Sequence, residues 1–239
     1  MKQIEFLPEA IPIRHAIAVS FDMSGFSTFC RRHDAHAYLT RYLSSLFKLF
    51  DGVFKDGARD FWKETKDLVQ VPRPDSIKYT GDGALLLWLK SKGDGFDSAF
   101  RTNLVLALRA FQQTLPKQIS RWESEWLTSD LPKIARVGVA TGPIQPLESN
   151  TDRISAGVVD YAGYCINLAV RLQDHCPVIG FIVHAPLQPQ IKGLMPLIAV
   201  KMKGALDERV FVFEEDWGRA VDGPFRKDVQ SRFSPIDEE

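Results

Sequence analysis

The segment "SIKYTGDGALLLWLK", residues 76–90, decides the fold. A short run containing Ile77 and Tyr79 leads into Gly81-Asp82-Gly83, and the apolar run "ALLLWL" follows at once. Two β-type runs joined by a tight glycine-rich turn read as a hairpin. A hairpin is antiparallel, whereas a doubly wound architecture needs parallel strands joined by crossovers. Helical and strand patterns alternate elsewhere in the chain, so the sequence predicts an α+β fold built on a mixed sheet.

Working outward, "IAVSFDMSGF" at 17–26 reads as a buried strand that ends on Asp22 and turns through Ser24 and Gly25. Residues 34–55 place Leu39, Leu43, Leu46, Phe47 and Phe50 at helical spacing, with Asp34 as N-cap. An irregular segment at about 56–74 runs into "VPRPD", which blocks a helix. Beyond the hairpin, a long amphipathic helix is expected over about 96–127. A strand follows at 134–148, breaking at Gly142-Pro143. A further helix is expected over 164–175, with Ile166, Leu168, Ala169 and Leu172 apolar. Short β-type runs follow at "GFIVH", "LIAVKM" and "RVFVFEE". The whole chain, 1–239, reads as one domain with its core at about 16–214, and 215–239 as a polar extension, solvated or loosely docked.

Composition narrows the class. Thirty Lys and Arg balance thirty Asp and Glu, so no global field recruits nucleic acid or an anionic membrane. Cys30, Cys165 and Cys176 form no CxxC pair, which fits reduced thiols in a cytoplasmic protein. The longest apolar run is six residues, too short to span a bilayer.

The chemistry concentrates in a few places. Asp22 and Asp82 each end a strand expected to be buried, and a buried carboxylate needs compensating charge. An isolated Asp-Gly is an ordinary turn, but two strand-end carboxylates converging on one point suit a hard cation such as magnesium or manganese. On the helix at 164–175, Asn167 and Arg171 stand four apart on one face. Lys201 and Lys203 sit beside Gly204 at the end of a strand.

Together these stretches resemble the catalytic domain of the class III nucleotidyl cyclases, the adenylate and guanylate cyclase family. "VSFDMSGFS" (19–27) is similar to the first metal-binding segment, "IKYTGDGALLLW" (77–88) to the second, and "RVGVATGP" (136–143) to the strand after the long helix. "DYAGYCINLAVRL" (160–172) resembles the signature helix and "VKMKG" (200–204) the late phosphate-binding segment. The five occur in family order across most of the chain.

The resemblance implies a ferredoxin-like mixed sheet with helices packed on one face, and a head-to-tail homodimer with active sites at the interface. It implies that Asp22 and Asp82, with the Met23 carbonyl, hold two Mn2+ or Mg2+ ions. Lys78 and Asp160 would read the base, Asn167 would orient the sugar, Arg171 would stabilise charge on the α-phosphate, and Lys203 would meet the terminal phosphates. Lysine only donates and an ionised aspartate only accepts, so that pair disfavours guanine and leaves adenine, cytosine and uracil open. With no anchor or sensor segment legible and the small Ala162 beside Asp160, the chain resembles the stand-alone pyrimidine cyclases of bacterial antiphage defence, the Pycsar type. These convert UTP or CTP to the 3′,5′-cyclic monophosphate and pyrophosphate, and the product is read by a separate effector. An adenylate cyclase is the alternative within the family. A non-catalytic, ferredoxin-like nucleotide- or RNA-binding module is the alternative outside it.

Overall fold

Strand β1 (Arg14–Ser24) organises the sheet because its side chains alternate between two apolar layers. The computed structural model describes residues 13–56, 69–90, 95–147, 160–175, 177–202 and 206–236. Helices α1 (Phe26–Cys30) and α2 (Ala35–Asp51) follow β1, and then comes the hairpin of β2 (Ser76–Tyr79) and β3 (Ala84–Lys90). Helix α3 (Ser98–Trp126) leads to β4 (Ile134–Leu147), β5 (Asp160–Ala162) and α4 (Tyr164–His175). The chain continues through β6 (Phe181–His184), β7 (Leu194–Ala199) and β8 (Glu208–Phe213). Helices α5 (Glu214–Asp222) and α6 (Arg226–Arg232) and strand β9 (Phe233–Pro235) complete it.

The sheet order is β2-β3-β1-β4-β6-β8-β7-β9, with β5 paired to β4. β4 and β6 run parallel, and the other strand pairs are antiparallel, so the fold is α+β with a mixed sheet.

Ile17, Val19, Phe21 and Met23 enter a layer with Tyr42, Leu46 and Phe50 of α2 and Leu104, Leu108 and Phe111 of α3. Phe21 meets Phe50 with ring centroids 4.3 Å apart and Phe111 edge-on at 5.8 Å. Ala16 and Ala18 face the opposite layer, with Leu168, Ala169 and Leu172 of α4. Helices therefore cover both faces of the sheet, where the sequence reading places them on one. The small alanines are the reason: they leave room for a helix to lie close to the strands. Gly138 of β4 makes the same allowance, since a Cβ there would stand 2.1 Å from the Ala169 carbonyl oxygen.

Three local expectations also change. Asp34 occupies the N-cap position of α2 but makes no capping bond; its carboxylate turns to Arg32 at 2.7 Å. β4 continues through Gly142-Pro143 instead of breaking there. Pro143 lies near the end of the β1 ladder, where a missing N–H costs little, and the strand passes on to pair with β5. The described residues after 213, expected to be solvated or loosely docked, are packed against the fold. Ala220, Val229 and Phe233 are buried in the α4-side layer, and β9 pairs with β7. Three buried apolar side chains, with Trp217 and Val221 packed against them, carry this docking in an otherwise largely polar stretch, which is why composition alone reads as an extension. No helix among the described residues is long and apolar enough to cross a membrane.

Candidate active site

The two strand-end aspartates are brought together by backbone packing. β1 and β3 pair with Phe21 opposite Ala84, which sets the turn at 80–83 against the end of β1. Gly83 makes the approach possible: a Cβ there would lie 2.0 Å from the Phe21 carbonyl oxygen and 3.0 Å from the Cα of Asp22. A side chain at 83 would push the turn outward and take Asp82 with it. Within this contact the backbone N–H of Met23 donates to Asp82 Oδ2 at 3.1 Å. Met23 itself has its side chain in the core.

The charge balance here is unequal. Asp22 lies opposite Arg136 in the β1–β4 ladder, and the guanidinium grips its carboxylate with both arms. Nε donates to Oδ1 at 2.9 Å and Nη2 to Oδ2 at 2.5 Å. The same guanidinium reaches Asp174 of α4 at 3.3 Å. Asp82 receives the Met23 amide but no ion pair among the described residues. Loss of water around its half-buried carboxyl raises its pKa above the ordinary value, and the nearby Asp22 adds to the rise. Three carboxylates thus face one guanidinium, an excess of negative charge that a cation would relieve.

The donor set fits a hard divalent ion. Both side chains offer carboxylate oxygen, the type magnesium and manganese select. Among the described residues no cluster of three or more His, Cys, Asp or Glu side chains forms a complete metal cage. Two carboxylates leave coordination positions open for water and phosphate oxygens, as is usual for magnesium held with a nucleotide.

The second group of residues lies on α4. The helix is held against β1 and β4 through Leu168, Ala169 and Leu172, which turns Asn167 outward and leaves Arg171 partly exposed. Neither side chain makes a hydrogen bond or ion pair among the described residues. Lys78 on β2 and Asp160 on β5, eighty-two positions apart in sequence, do meet, with Nζ 3.5 Å from Oδ1. Both are about two-thirds exposed, at 65% and 64%, so solvent weakens the pair and leaves its donor and acceptor free to engage a ligand. Lys203 lies outside the described residues, as do Cys176 and most of the irregular segment at 56–74.

Sequence reasoning passes over Arg136. It stands inside the quoted "RVGVATGP", and a lone cation in the otherwise apolar strand "IARVGVA" is a signal that it faces a fixed negative charge. Assigning the charge as Asp22 needs the β1–β4 register, which the sequence does not state.

No protein-family model matches the chain, and no curated protein matches it. Solved structures do. The guanylyl cyclase Cya2 superposes with TM-score 0.60, covering 86% of this chain and 94% of its own at 13% identity. The adenylyl cyclase CyaB from P. aeruginosa gives 0.56, covering 85% and 96% at 15% identity. The guanylate cyclase domain of RhGC from Catenaria anguillulae, solved in complex with GTP, gives 0.53, covering 84% and 96% at 14% identity. At such identities the likeness is one of fold: the chain has the fold of adenylyl and guanylyl cyclase domains.

Proposed function

We propose that this protein is a nucleotidyl cyclase that converts a nucleoside triphosphate to its 3′,5′-cyclic monophosphate and pyrophosphate. The observation that carries the reading is the junction of Asp22 and Asp82 through Gly83, an acidic, half-buried site with one cation for three carboxylates. In the reaction the 3′ oxygen forms a bond to the α-phosphorus, the bond from that phosphorus to the β-phosphate oxygen breaks, and the 3′ hydroxyl proton is lost. Asp22 and Asp82 would hold the divalent ions, which when bound would acidify the 3′ hydroxyl and neutralise the departing pyrophosphate.

The remaining roles belong to the chain. Asn167 orients the ribose, and Arg171 places a planar cation against charge growing on the α-phosphate. Lys203 takes the terminal phosphates. Arg136, once a cation replaces it on Asp22, is free to turn toward the same phosphates. Asn167 and Arg171 make no hydrogen bond or ion pair among the described residues, which suits a head-to-tail homodimer whose second copy brings the substrate to them.

The Lys78–Asp160 pair gives a donor beside an acceptor. Guanine matches the pair only through O6 and its ring N–H; presented through the ring N–H and amino group it leaves the lysine unmatched, at a cost of about 1–3 kcal/mol. Uracil, cytosine and adenine each offer an acceptor beside a donor. Among these we favour the pyrimidines, on the resemblance of the chain to the stand-alone pyrimidine cyclases, with which the small Ala162 is compatible. In that setting the product is a second messenger read by a separate effector in antiphage defence.

The test is direct. Purified protein is incubated with each of the four ribonucleoside triphosphates under manganese and under magnesium, and cyclic products are identified by mass. Cyclic UMP or cyclic CMP is expected, with GTP the poorest substrate. Dominant cyclic AMP would overturn the pyrimidine assignment alone, and no cyclic product from any triphosphate would overturn the enzyme reading.

A further inference from the structure

Arg136 has two carboxylate partners of unlike character. Its Nε and Nη2 hold both oxygens of Asp22, which we assign to the metal. Its remaining nitrogen, Nη1, donates to Asp174 Oδ1 at 3.3 Å, in the last turn of α4. The side chains of Arg136 and Asp22 are 19% and 26% exposed, whereas that of Asp174 is 75% exposed. One guanidinium thus bridges a half-buried carboxylate on β1 and a solvated one on α4.

Backbone packing fixes this bridge. α4 crosses β4 closely at Gly138, where a Cβ would stand 2.1 Å from the Ala169 carbonyl oxygen and 2.5 Å from the Gln173 amide nitrogen. Gly138 and Arg136 lie two apart in β4 and so share one face of the strand. The close crossing therefore sets the last turn of α4, and Asp174 with it, beside the arginine. The helix end is held again at His175, whose ring meets Phe233 with centroids 5.1 Å apart. Helix stability does not explain the aspartate. The C-terminal end of a helix carries partial negative charge, which disfavours an acidic side chain in the last turn. Among the described residues, Arg136 is the one hydrogen-bond partner of the Asp174 side chain.

A cation at Asp22 requires the arginine to give way. Arginine does not lose its proton in a protein, so it can leave Asp22 only by moving. A half-buried cation that gives up one carboxylate needs another. Asp82 belongs to the same metal end, which leaves Asp174. We propose that Asp174 is a positioning residue, a second seat that receives the Arg136 guanidinium when a divalent cation takes Asp22; this rests on the reading of Asp22 as a metal ligand. The seat is weak by construction, since solvent screens an ion pair to so exposed a carboxylate. Arg136 is then held off Asp22 without being trapped and stays available to the triphosphate. Together the two side chains set how much free cation is needed to load the site.

The test measures Mn2+ binding to the full chain without nucleotide, read from the free Mn2+ signal in electron paramagnetic resonance. Wild type, Asp174→Asn, Arg136→Ala and the double variant are compared. Asp174→Asn should weaken binding about threefold, because the arginine then has Asp22 alone to hold. It should not lower the melting temperature, since the helix end loses a disfavoured charge. Arg136→Ala should tighten binding, and adding Asp174→Asn to it should change nothing, because the seat then has no occupant. An aspartate that merely attracts cations would instead weaken binding by the same factor in both backgrounds. Equal weakening in both, or unchanged binding by Asp174→Asn alone, would overturn the proposal and leave the cyclase reading intact. Binding that Asp22→Ala leaves unaltered would overturn it as well, since the cation would then sit elsewhere. Wild-type protein that binds Mn2+ in this pattern but cyclises no triphosphate would overturn the cyclase reading and still support the seat.

Discussion

The acidic end of the candidate site, where we place the metal, and the stripe on α4 are built in opposite ways. At the metal end, Asp22 is held by Arg136 with both oxygens, Asp82 takes the Met23 amide, and Asp174 shares the same guanidinium. On α4, Asn167 and Arg171 are without side-chain partners among the described residues. One region is preorganised with a stand-in cation in place. The other offers polar groups to something that arrives from outside. On the proposed reading, such a site would be completed when substrate, metal and a second copy meet.

The largest effect should come from the metal end. Asp22→Ala or Asp82→Ala should lower turnover by about a thousandfold or more, because losing a carboxylate from a metal site leaves triphosphate charge uncompensated by roughly 4 kcal/mol or more. Circular dichroism should show both variants folded. Cyclic product formed at the wild-type rate by Asp82→Ala would erase the distinction between the two regions. Next in size is the base pair. Lys78→Glu replaces the donor with an acceptor, which should cut turnover of the preferred triphosphate by about 10- to 100-fold and improve GTP relative to it. Competition between two triphosphates in one reaction would read the ratio directly.

Arg136→Ala sharpens the idea of a stand-in cation. Removing a positive charge in contact with Asp22 should tighten Mn2+ binding in the absence of nucleotide by about tenfold, read from the free Mn2+ signal in electron paramagnetic resonance. Unchanged or weaker binding would mean that the guanidinium supports the metal instead of replacing it.

The smallest effect is one of stability. His175 and His184 are buried and desolvation holds their pKa values below the ordinary histidine range. They are neutral in the fold, whereas the unfolded chain takes up protons once pH falls below about 6.5. Unfolding therefore binds protons, and stability present above that pH is lost as pH falls. Each histidine contributes up to about 1.4 kcal/mol per pH unit. His175 Nε2 also donates to the Arg232 carbonyl at 3.0 Å and meets Phe233 edge-on, so it joins α4 to the docked tail. His175→Gln should flatten the acid limb of a melting-temperature profile, and an unaltered limb would contradict this account.

The legible parts of the sequence are those where local pattern and tertiary demand agree. The helix at 164–175 has apolar residues at a helical period that also suits its burial, and its observed bounds match. The GDG turn announces the hairpin because Gly81 takes a positive φ of 91° in the turn and Gly83 is required by the Phe21 carbonyl behind it. Arg136 and the tail were hidden for the same physical reason. Their roles depend on which strand lies next to which, and neither the β1–β4 register nor the β7–β9 pairing leaves a mark in local composition. Lys78 and Asp160 show the intermediate case: the residues stand out through resemblance, but their meeting depends on how β5 folds back from β4.

The central claim is that one copy supplies the metal carboxylates and its partner supplies the α4 stripe. Mixing purified Asp22→Ala with purified Arg171→Ala tests it most directly. Each variant alone should be inactive. With free subunit exchange, half the dimers are mixed and each mixed dimer holds one intact site of two, so activity should recover to about one quarter of wild type. No recovery, with exchange demonstrated by differently tagged subunits, would contradict the shared site.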